Sequence, residues 1–156
     1  MTQEEKQLLL KDLCARLPYG VKVMKQFKSQ TRTLLSIDVA NLRVYFLEND
    51  VNSPFGFNIE DPLRFSQQIK PYLRPMSSMT EEERKELKAA TCPNGTGFFD
   101  EKYLICPMNH YGEHISYGFM SDILGWLNEH HFDYRGLLEK GLALEAPEGM
   151  YKIEKL

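Results

Sequence analysis

The first hydrophobic residues of the chain recur every four positions, which is the spacing of one face of a helix. Thr2 is followed three residues later by Glu5, the sequence signature of a capping box. The pattern predicts a helix over residues 2–17, ended by the turn-forming residues 18–20. Its buried stripe is predicted to contain Leu9, Leu13 and Leu17, with Leu10 and the small core residue Cys14 beside them.

From residue 21 the hydrophobic period changes to two, which is typical of strands. The alternating runs cover residues 21–24, 33–39, 42–47 and 55–59. Ala40-Asn41 is a tight turn between the second and third runs. Because the runs follow one another closely, they predict an antiparallel meander.

Two prolines interrupt the next segment, residues 69–80, and a proline cannot donate a hydrogen bond to a neighbouring strand. Pro71 and Pro75 therefore exclude a central strand. We expect an extended segment or an edge strand here, with Tyr72 and Leu73 facing inward.

A helical period returns in the second half of the chain. Thr80 and Glu83 form a second capping box, which predicts a helix over residues 80–90. Another helix is predicted from its apolar face, which contains Phe119, Met120, Ile123, Leu124, Trp126 and Leu127. A last helix is predicted from Asp133, as its cap, to about Lys140, before the stop at Gly141.

These elements predict an α+β fold, because strands occur together and the later helices occur together. We expect one domain over residues 1–156. Residues 1–78 form the N-terminal helix and a small antiparallel sheet, for which a small barrel of the Src-homology (SH3-like) type is an alternative form. Residues 79–156 form a mainly helical part packed on that sheet.

Composition narrows the class of protein. The 156 residues are 42% hydrophobic and 26% charged, which is ordinary for a globular protein. The formal net charge of -3 lacks the basic excess of a non-specific nucleic-acid binder. The chain shows no signal peptide, no apolar run near the ~20 residues that cross a bilayer, and an odd number of cysteines. We therefore expect a cytoplasmic protein with reduced thiols and no membrane association.

Three stretches of sequence resemble one family. They are LLLKDLCARLPYGVKV at residues 8–23, IKPYLRPMSSMTEEE at residues 69–83, and WLNEHHFDYRGLLEKGLALEAPEGMY at residues 126–151. In these the chain resembles a widespread group of small uncharacterised proteins that gut Bacteroidales bacteria encode, often in prophages and mobile elements. The resemblance implies no activity, ligand or catalytic residue. Residues 48–68 and 91–118 look unlike that group, so a function peculiar to this chain is expected there.

The sharpest metal-ligand pattern is Cys92, Cys106, His110 and His114. Zinc takes four tetrahedral Cys and His ligands, and Glu113 is placed to orient His114. The pattern lacks the C-x2-C knuckle of common zinc sites. The spacing therefore favours the alternative, in which two unpaired thiols and two surface histidines lie in one loop. A Cys–His nucleophile pair from the same residues lacks a third, orienting residue.

A second constellation is His130, His131, Asp133 and Arg135, which together suit acid–base chemistry or anion binding. Neighbouring helical residues point about 100° apart, so both histidines cannot face one site. We expect one histidine to face solvent and the other to pack at a helix end. Asp133 then acts as a cap, and Arg135 is its partner or a surface residue.

Basic and aromatic residues are interleaved along the predicted strands, as in proteins that hold single-stranded nucleic acid. They are Lys22, Lys25, Lys28, Arg32 and Arg43, with Phe27, Tyr45 and Phe46. The acidic net charge favours the alternative, an ordinary solvent-facing surface with its aromatic residues turned inward.

Three hypotheses for function follow. The sequence favours a non-enzymatic accessory protein of a phage or mobile element that binds an unknown protein partner, with a homo-oligomer as one form. It predicts an exposed apolar patch or a dimer interface. The alternatives are a zinc-stabilised or basic-patch nucleic-acid binder, and a small hydrolase that uses His110, His114 or His131. No cofactor other than zinc is suggested.

Overall fold

The computed structural model describes residues 1–25, 30–41, 43–48, 51–58, 69–91 and 117–152. Their elements are an N-terminal helix, a sheet and further helices, so the predicted α+β class is confirmed. Contacts group the chain into two compact units, Met1–Leu73 with Arg135–Leu156, and Arg74–Tyr134. The predicted packing of residues 79–156 as one part on the sheet stays a prediction.

The first unit begins with helix α1, Gln3–Arg16, and its predicted capping box is confirmed. The Thr2 amide donates to Glu5 Oε2 at 2.7 Å, and the Glu5 amide donates to Thr2 Oγ1 at 3.1 Å. Leu9 and Leu13 are fully buried. Cys14 is exposed, so its predicted place in the core is wrong: one residue past Leu13 turns it about 100° away.

The first unit also holds the sheet, in which the described part of the chain contributes six strands. They are β1 (Lys22–Lys25), β2 (Gln30–Asp38), β3 (Arg43–Glu48), β4 (Val51–Asn58), β5 (Ile69–Leu73) and β6 (Leu144–Glu145). The spatial order is β4-β3-β2-β1-β5-β6, and only the β5–β6 pair is parallel. The predicted meander is confirmed as β1 to β4. No pairing among the described strands joins β4 to β6, so the barrel stays a prediction.

The position of β5 contradicts the expectation that its prolines exclude an internal strand. Pro71 lies opposite Val23 of β1, and on the other side β5 pairs with β6. The β5 residues that pair with β6 are Tyr72 and Leu73. The missing N–H of Pro71 therefore falls outside the β5–β6 ladder. Leu73 is fully buried, whereas the alternation of the strand leaves Tyr72 half-buried on the other face.

The core of the first unit lies between α1 and one face of the sheet. Its buried residues are Leu9, Leu13, Val21, Val23, Leu34, Val44, Phe46, Ile69, Leu73, Leu137, Leu142 and Ala143. The last three come from the C-terminal segment, which returns to this unit and supplies β6. Apolar burial on one face of β1, β2, β3 and β5 fixes which face of the sheet points away from the core.

The second unit contains helices α2, Glu81–Thr91, and α3, Tyr117–Glu129. The predicted box at the start of α2 is confirmed, since the Glu83 amide donates to Thr80 Oγ1 at 3.2 Å and the Thr80 amide donates to Glu83 Oε2 at 2.9 Å. Its core is separate from that of the first unit. It consists of Met79, Leu87, Ile123, Trp126, Leu127 and Phe132.

The helix predicted from Asp133 to about Lys140 does not form. Residues 134–141 make turns, and Gly136 adopts a φ of +71°, a left-handed conformation that a right-handed helix cannot continue. Gly141, at +67°, ends the turn as predicted for a helix stop. The segment instead leads directly into β6. No helix in the described part of the chain is long and apolar enough to cross a membrane.

Candidate functional site

The residues of the predicted zinc site, Cys92, Cys106, His110 and His114, lie outside the described residues. Within the described ranges, no group of three or more His, Cys, Asp or Glu side chains is arranged to hold a metal ion. Cys14 is the cysteine that the structure does describe. Desolvation raises the pKa of its thiol, which keeps it protonated at neutral pH and makes it a poor nucleophile.

His130 ends a stack of flat side chains in the second unit. Its ring lies on the Trp126 ring, with centroids 3.8 Å apart and planes 16° apart. Its Nδ1 is 2.9 Å from the Trp126 carbonyl oxygen. Phe132 stacks on the same indole at 5.8 Å, and the Arg74 guanidinium lies 4.2 Å from the centroid of the Phe132 ring. The order Arg74, Phe132, Trp126, His130 defines what we term the aromatic stack.

Helix α2 places one carboxylate at each end of the aromatic stack. Glu83 accepts two hydrogen bonds from Arg74, at 2.7 and 2.9 Å, and Glu86 Oε2 lies 3.8 Å from His130 Nε2. Burial opposes ionisation of Glu83. The hydrogen bonds from Arg74 and the Thr80 amide, with the charges of Arg74 and His130, outweigh it and lower the pKa of Glu83. These contacts stabilise the packing of α2 on the stack.

The expectation that one of the two histidines faces solvent is wrong. His130 is 7% exposed and His131 is 3% exposed, because the chain reverses immediately after α3. His131 takes a left-handed φ of +59°, and the Phe132 amide donates back to the Leu127 carbonyl at 2.9 Å. The His131 carbonyl accepts the Arg74 amide at 2.8 Å. With no helix at this point, Asp133 caps none, and it is buried.

Arg135 pairs with a residue 123 positions away in the sequence. Its Nη1 donates to Asp12 Oδ1 at 3.0 Å. Asp12 also accepts from Arg16, at 2.8 Å from Nε and at 3.0 Å from Nη2. Asp12 and Arg16 are fully buried, one turn apart on the core side of α1. Their i, i+4 spacing is visible in the sequence, but it ordinarily indicates a surface pair. The sequence reasoning therefore missed the pairing of Arg135 with Asp12.

Tyr151 follows β6 in the chain, and its hydroxyl joins two strands. The Lys22 amide donates to the hydroxyl at 2.9 Å, and the hydroxyl donates to the Tyr72 carbonyl at 2.9 Å. The hydroxyl thus bridges β1 and β5 just beyond their last recorded pair, Val23 and Pro71. Burial is the main cause that raises the pKa of Tyr151 above its ordinary value, so the hydroxyl stays a donor at all physiological pH values.

The basic residues predicted for a nucleic-acid surface divide between the two faces of the sheet. The register pairs Arg32 with Val23 on the core-facing row, whereas Lys22 pairs with Thr33 on the outward row. Arg43 faces outward opposite Asp38. Phe46 is buried in the core, and Tyr45 is half-buried on the outward row. Lys28 and Phe27 lie outside the described residues, and only the backbone of Lys25 is described.

A β-bulge in β2 exposes an apolar side chain. The register shifts between Leu34 and Ser36, so that Leu34 and Ile37 both contact the core and Leu35 faces solvent. Leu35 is 42% exposed, and Val39 just after the strand is 57% exposed. Tyr19 is 40% exposed and ends a short 3-10 helix, Leu17–Tyr19, that contacts β2. Tyr19, Leu35 and Val39 are the bulge surface. Simple alternation would place Leu35 on the same face of the sheet as Ile37, so the hydrophobic period of the sequence does not predict this surface.

Comparisons of this chain with protein-family models, with curated proteins and with solved structures gave no match. The function must therefore be argued from the described residues and their geometry.

Proposed function

We propose that this protein is a non-enzymatic binding protein that contacts a protein partner through the bulge surface. The observation that carries the proposal is the bulge itself. It keeps both Leu34 and Ile37 directed to the core and leaves Leu35, which lies between them in the chain, exposed to solvent, and Tyr19 and Val39 are exposed as well. Bulges commonly re-aim side chains at functional places in sheets.

The physical chemistry of exposed apolar groups supports this assignment. Single exposed hydrophobic residues are normal, whereas a group of them marks a binding surface more often. Burying a leucine, a valine and a tyrosine against a partner removes apolar surface from water, which favours binding by about 25 cal/mol for each Å² buried. Strand β2 holds Leu35 in place, which limits the conformational entropy lost on binding.

A structural role for the buried histidines and acids also favours binding over hydrolysis. His130 contacts Trp126 and Glu86, and Arg135 contacts Asp12, so these groups stabilise the packing of their own units. The alternative nucleic-acid function is less favoured because Phe46 is buried and Arg32 lies on the core-facing row. We further propose, from the resemblance alone, an accessory role in a phage or mobile element and a cytoplasmic location.

The test compares two matched double variants of the full chain. Leu35→Ser with Val39→Ser removes the apolar side chains, whereas Leu35→Met with Val39→Ile keeps them apolar. Native mass spectrometry and quantitative capture from a Bacteroidales extract are measured for both, together with thermal midpoints.

We expect wild type and the Met/Ile variant to hold one partner, or a second copy, in a fixed ratio, and the Ser/Ser variant to lose it at an unchanged thermal midpoint. Equal capture by both variants contradicts the proposal. So does a strictly monomeric protein that retains no partner.

A further inference from the structure

The outward face of the sheet carries a positive charge beside the bulge surface. Among the described side chains of β1, β2, β3 and β5, the charged ones on this face are Lys22, Arg43, Lys70 and Asp38. None of these four is buried, and Arg43 is exposed. Three cations and one anion leave this face with a formal charge opposite in sign to the net charge of -3 of the whole chain.

Arg43 and Asp38 face each other across β2 and β3, so their charges largely offset one another. Asp38 also accepts from both the side chain and the backbone of Asn41, at 2.7 and 3.1 Å. Its hydrogen bonds with Asn41, first of all that from the side chain, lower the pKa of Asp38 and keep it ionised. The positive charge of the face is therefore that of Lys22 and Lys70.

Lys22 and Lys70 lie on adjacent strands. Lys70 pairs with Met24, two residues along β1 from Lys22, and such diagonal neighbours are about 7–8 Å apart. Two like charges on adjacent strands repel each other weakly in the free protein, and a bound carboxylate relieves that repulsion.

Distances along the strands connect the two lysines to the bulge surface. The ammonium group of Lys22 donates to Thr33 Oγ1 at 3.2 Å, and Thr33 is two residues before Leu35 on β2. Two residues of a strand span about 7 Å. When an extended segment of a partner places an apolar side chain against Leu35, a residue two positions away in that segment therefore lies next to Lys22.

We infer that the bulge surface and the neighbouring lysines bind a protein segment whose apolar residues are flanked by Asp or Glu. This inference rests on the proposed function and adds the chemistry of its partner. Apolar contacts at Leu35 and Tyr19 supply affinity, and the two lysines select for acidic flanks. Nucleic acid is the competing anionic ligand. Its bases would stack on Tyr45 of the outward row, because Phe46 is buried.

The test uses the full chain, labelled with ¹⁵N, and follows backbone amide shifts on β1, β2 and β5. Three probes are titrated separately: a peptide of alternating Glu and Leu, the same peptide with Lys in place of Glu, and a ten-nucleotide oligo-dT. The variant is Lys22→Glu with Lys70→Glu. The matched control is Lys85→Glu with Lys88→Glu, two exposed positions on α2.

We expect the Glu/Leu peptide to shift these amides at lower concentration than the Lys/Leu peptide, and added salt to weaken it. The Lys22→Glu, Lys70→Glu variant should bind the Glu/Leu peptide about two- to thirtyfold more weakly, as the loss of two exposed ion pairs implies. The control variant should match wild type.

Equal response to the two peptides, no response to either, or an unchanged affinity of the charge-reversed variant overturns the inference. Tighter binding of oligo-dT than of the Glu/Leu peptide also overturns it, in favour of nucleic acid. The proposed function fails by a different result, which is retention of the partner by Leu35→Ser with Val39→Ser.

Discussion

Asp12 is a position at which a substitution of similar shape should strongly lower the free energy of unfolding of this protein. Its carboxylate is fully buried and accepts from Arg16 Nε, Arg16 Nη2 and Arg135 Nη1, at 2.8, 3.0 and 3.0 Å. Asp12→Asn keeps the shape of the side chain and removes its charge. It leaves the fully buried guanidinium of Arg16 without its carboxylate.

The magnitude follows from the asymmetry of buried ion pairs. Removing one partner of such a pair costs about 3–5 kcal/mol, because the other charge stays buried. Small domains are stable by about 5–15 kcal/mol, so Asp12→Asn should remove about a fifth or more of the free energy of unfolding. Replacing both charges, by Asp12→Leu with Arg16→Met, should cost much less, since no buried charge then remains.

Urea denaturation followed by far-ultraviolet circular dichroism measures these differences. Trp126 fluorescence is recorded in parallel, because the single tryptophan lies in the other unit and reports unfolding there. Glu81→Gln is the control: its partner Arg84 lies 3.5 Å away and its side chain is 78% exposed, so a change of about 0–1 kcal/mol is expected.

The reasoning about buried charge is refuted if Asp12→Asn costs no more than Glu81→Gln. It is also refuted if the Leu/Met double variant is as unstable as Asp12→Asn, because the cost would then come from packing. An intermediate loss for Arg135→Gln is expected, since the Arg135 side chain is 23% exposed.

Three further predictions concern other named contacts. Tyr151→Phe removes the hydroxyl that joins Lys22 to Tyr72 and should lower the free energy of unfolding by about 1–3 kcal/mol in urea; a change within error would show that water replaces the hydroxyl. The pKa of Glu83 is lowered in the folded protein. The contribution of Glu83 to the free energy of unfolding is therefore complete above the ordinary carboxyl pKa of about 4.3, and it is lost as pH falls through the folded pKa. Urea midpoints from pH 5 to 2 should therefore fall less steeply in Glu83→Gln than in wild type, and parallel curves would contradict this. Gly136→Ala should cost about 1–2 kcal/mol by thermal denaturation because φ is +71° there, and a stabilised variant would disprove that strain.

The local elements could be predicted from the sequence because their causes are local. Each capping box joins residues three apart, Thr2 with Glu5 and Thr80 with Glu83, and both form as expected. The meander of β1 to β4 follows from alternating runs joined by short connections. Consecutive strands that are close in the chain lose little entropy on pairing, so their order in the sheet follows their order in the sequence.

The candidate site could not be predicted in the same way, since a period assigns residues to faces only while a strand stays regular. One extra residue at the bulge lets both Leu34 and Ile37 face the core, while Leu35 faces solvent. The pattern of residues 33–39 fits either face, and only packing against α1 selects one. The predicted zinc ligands, by contrast, lie outside the described residues and stay a prediction.

The sequence by itself determined where helices α1 and α2 begin, which early runs become strands, and that the class is α+β. Only the tertiary structure decided that β5 is internal despite Pro71, that Arg135 pairs with Asp12, and that Tyr151 bridges two strands. These pairings join residues up to 129 positions apart. No short window of sequence contains both partners of such a pairing, so the hydrophobic period around either residue gives no information about the pairing.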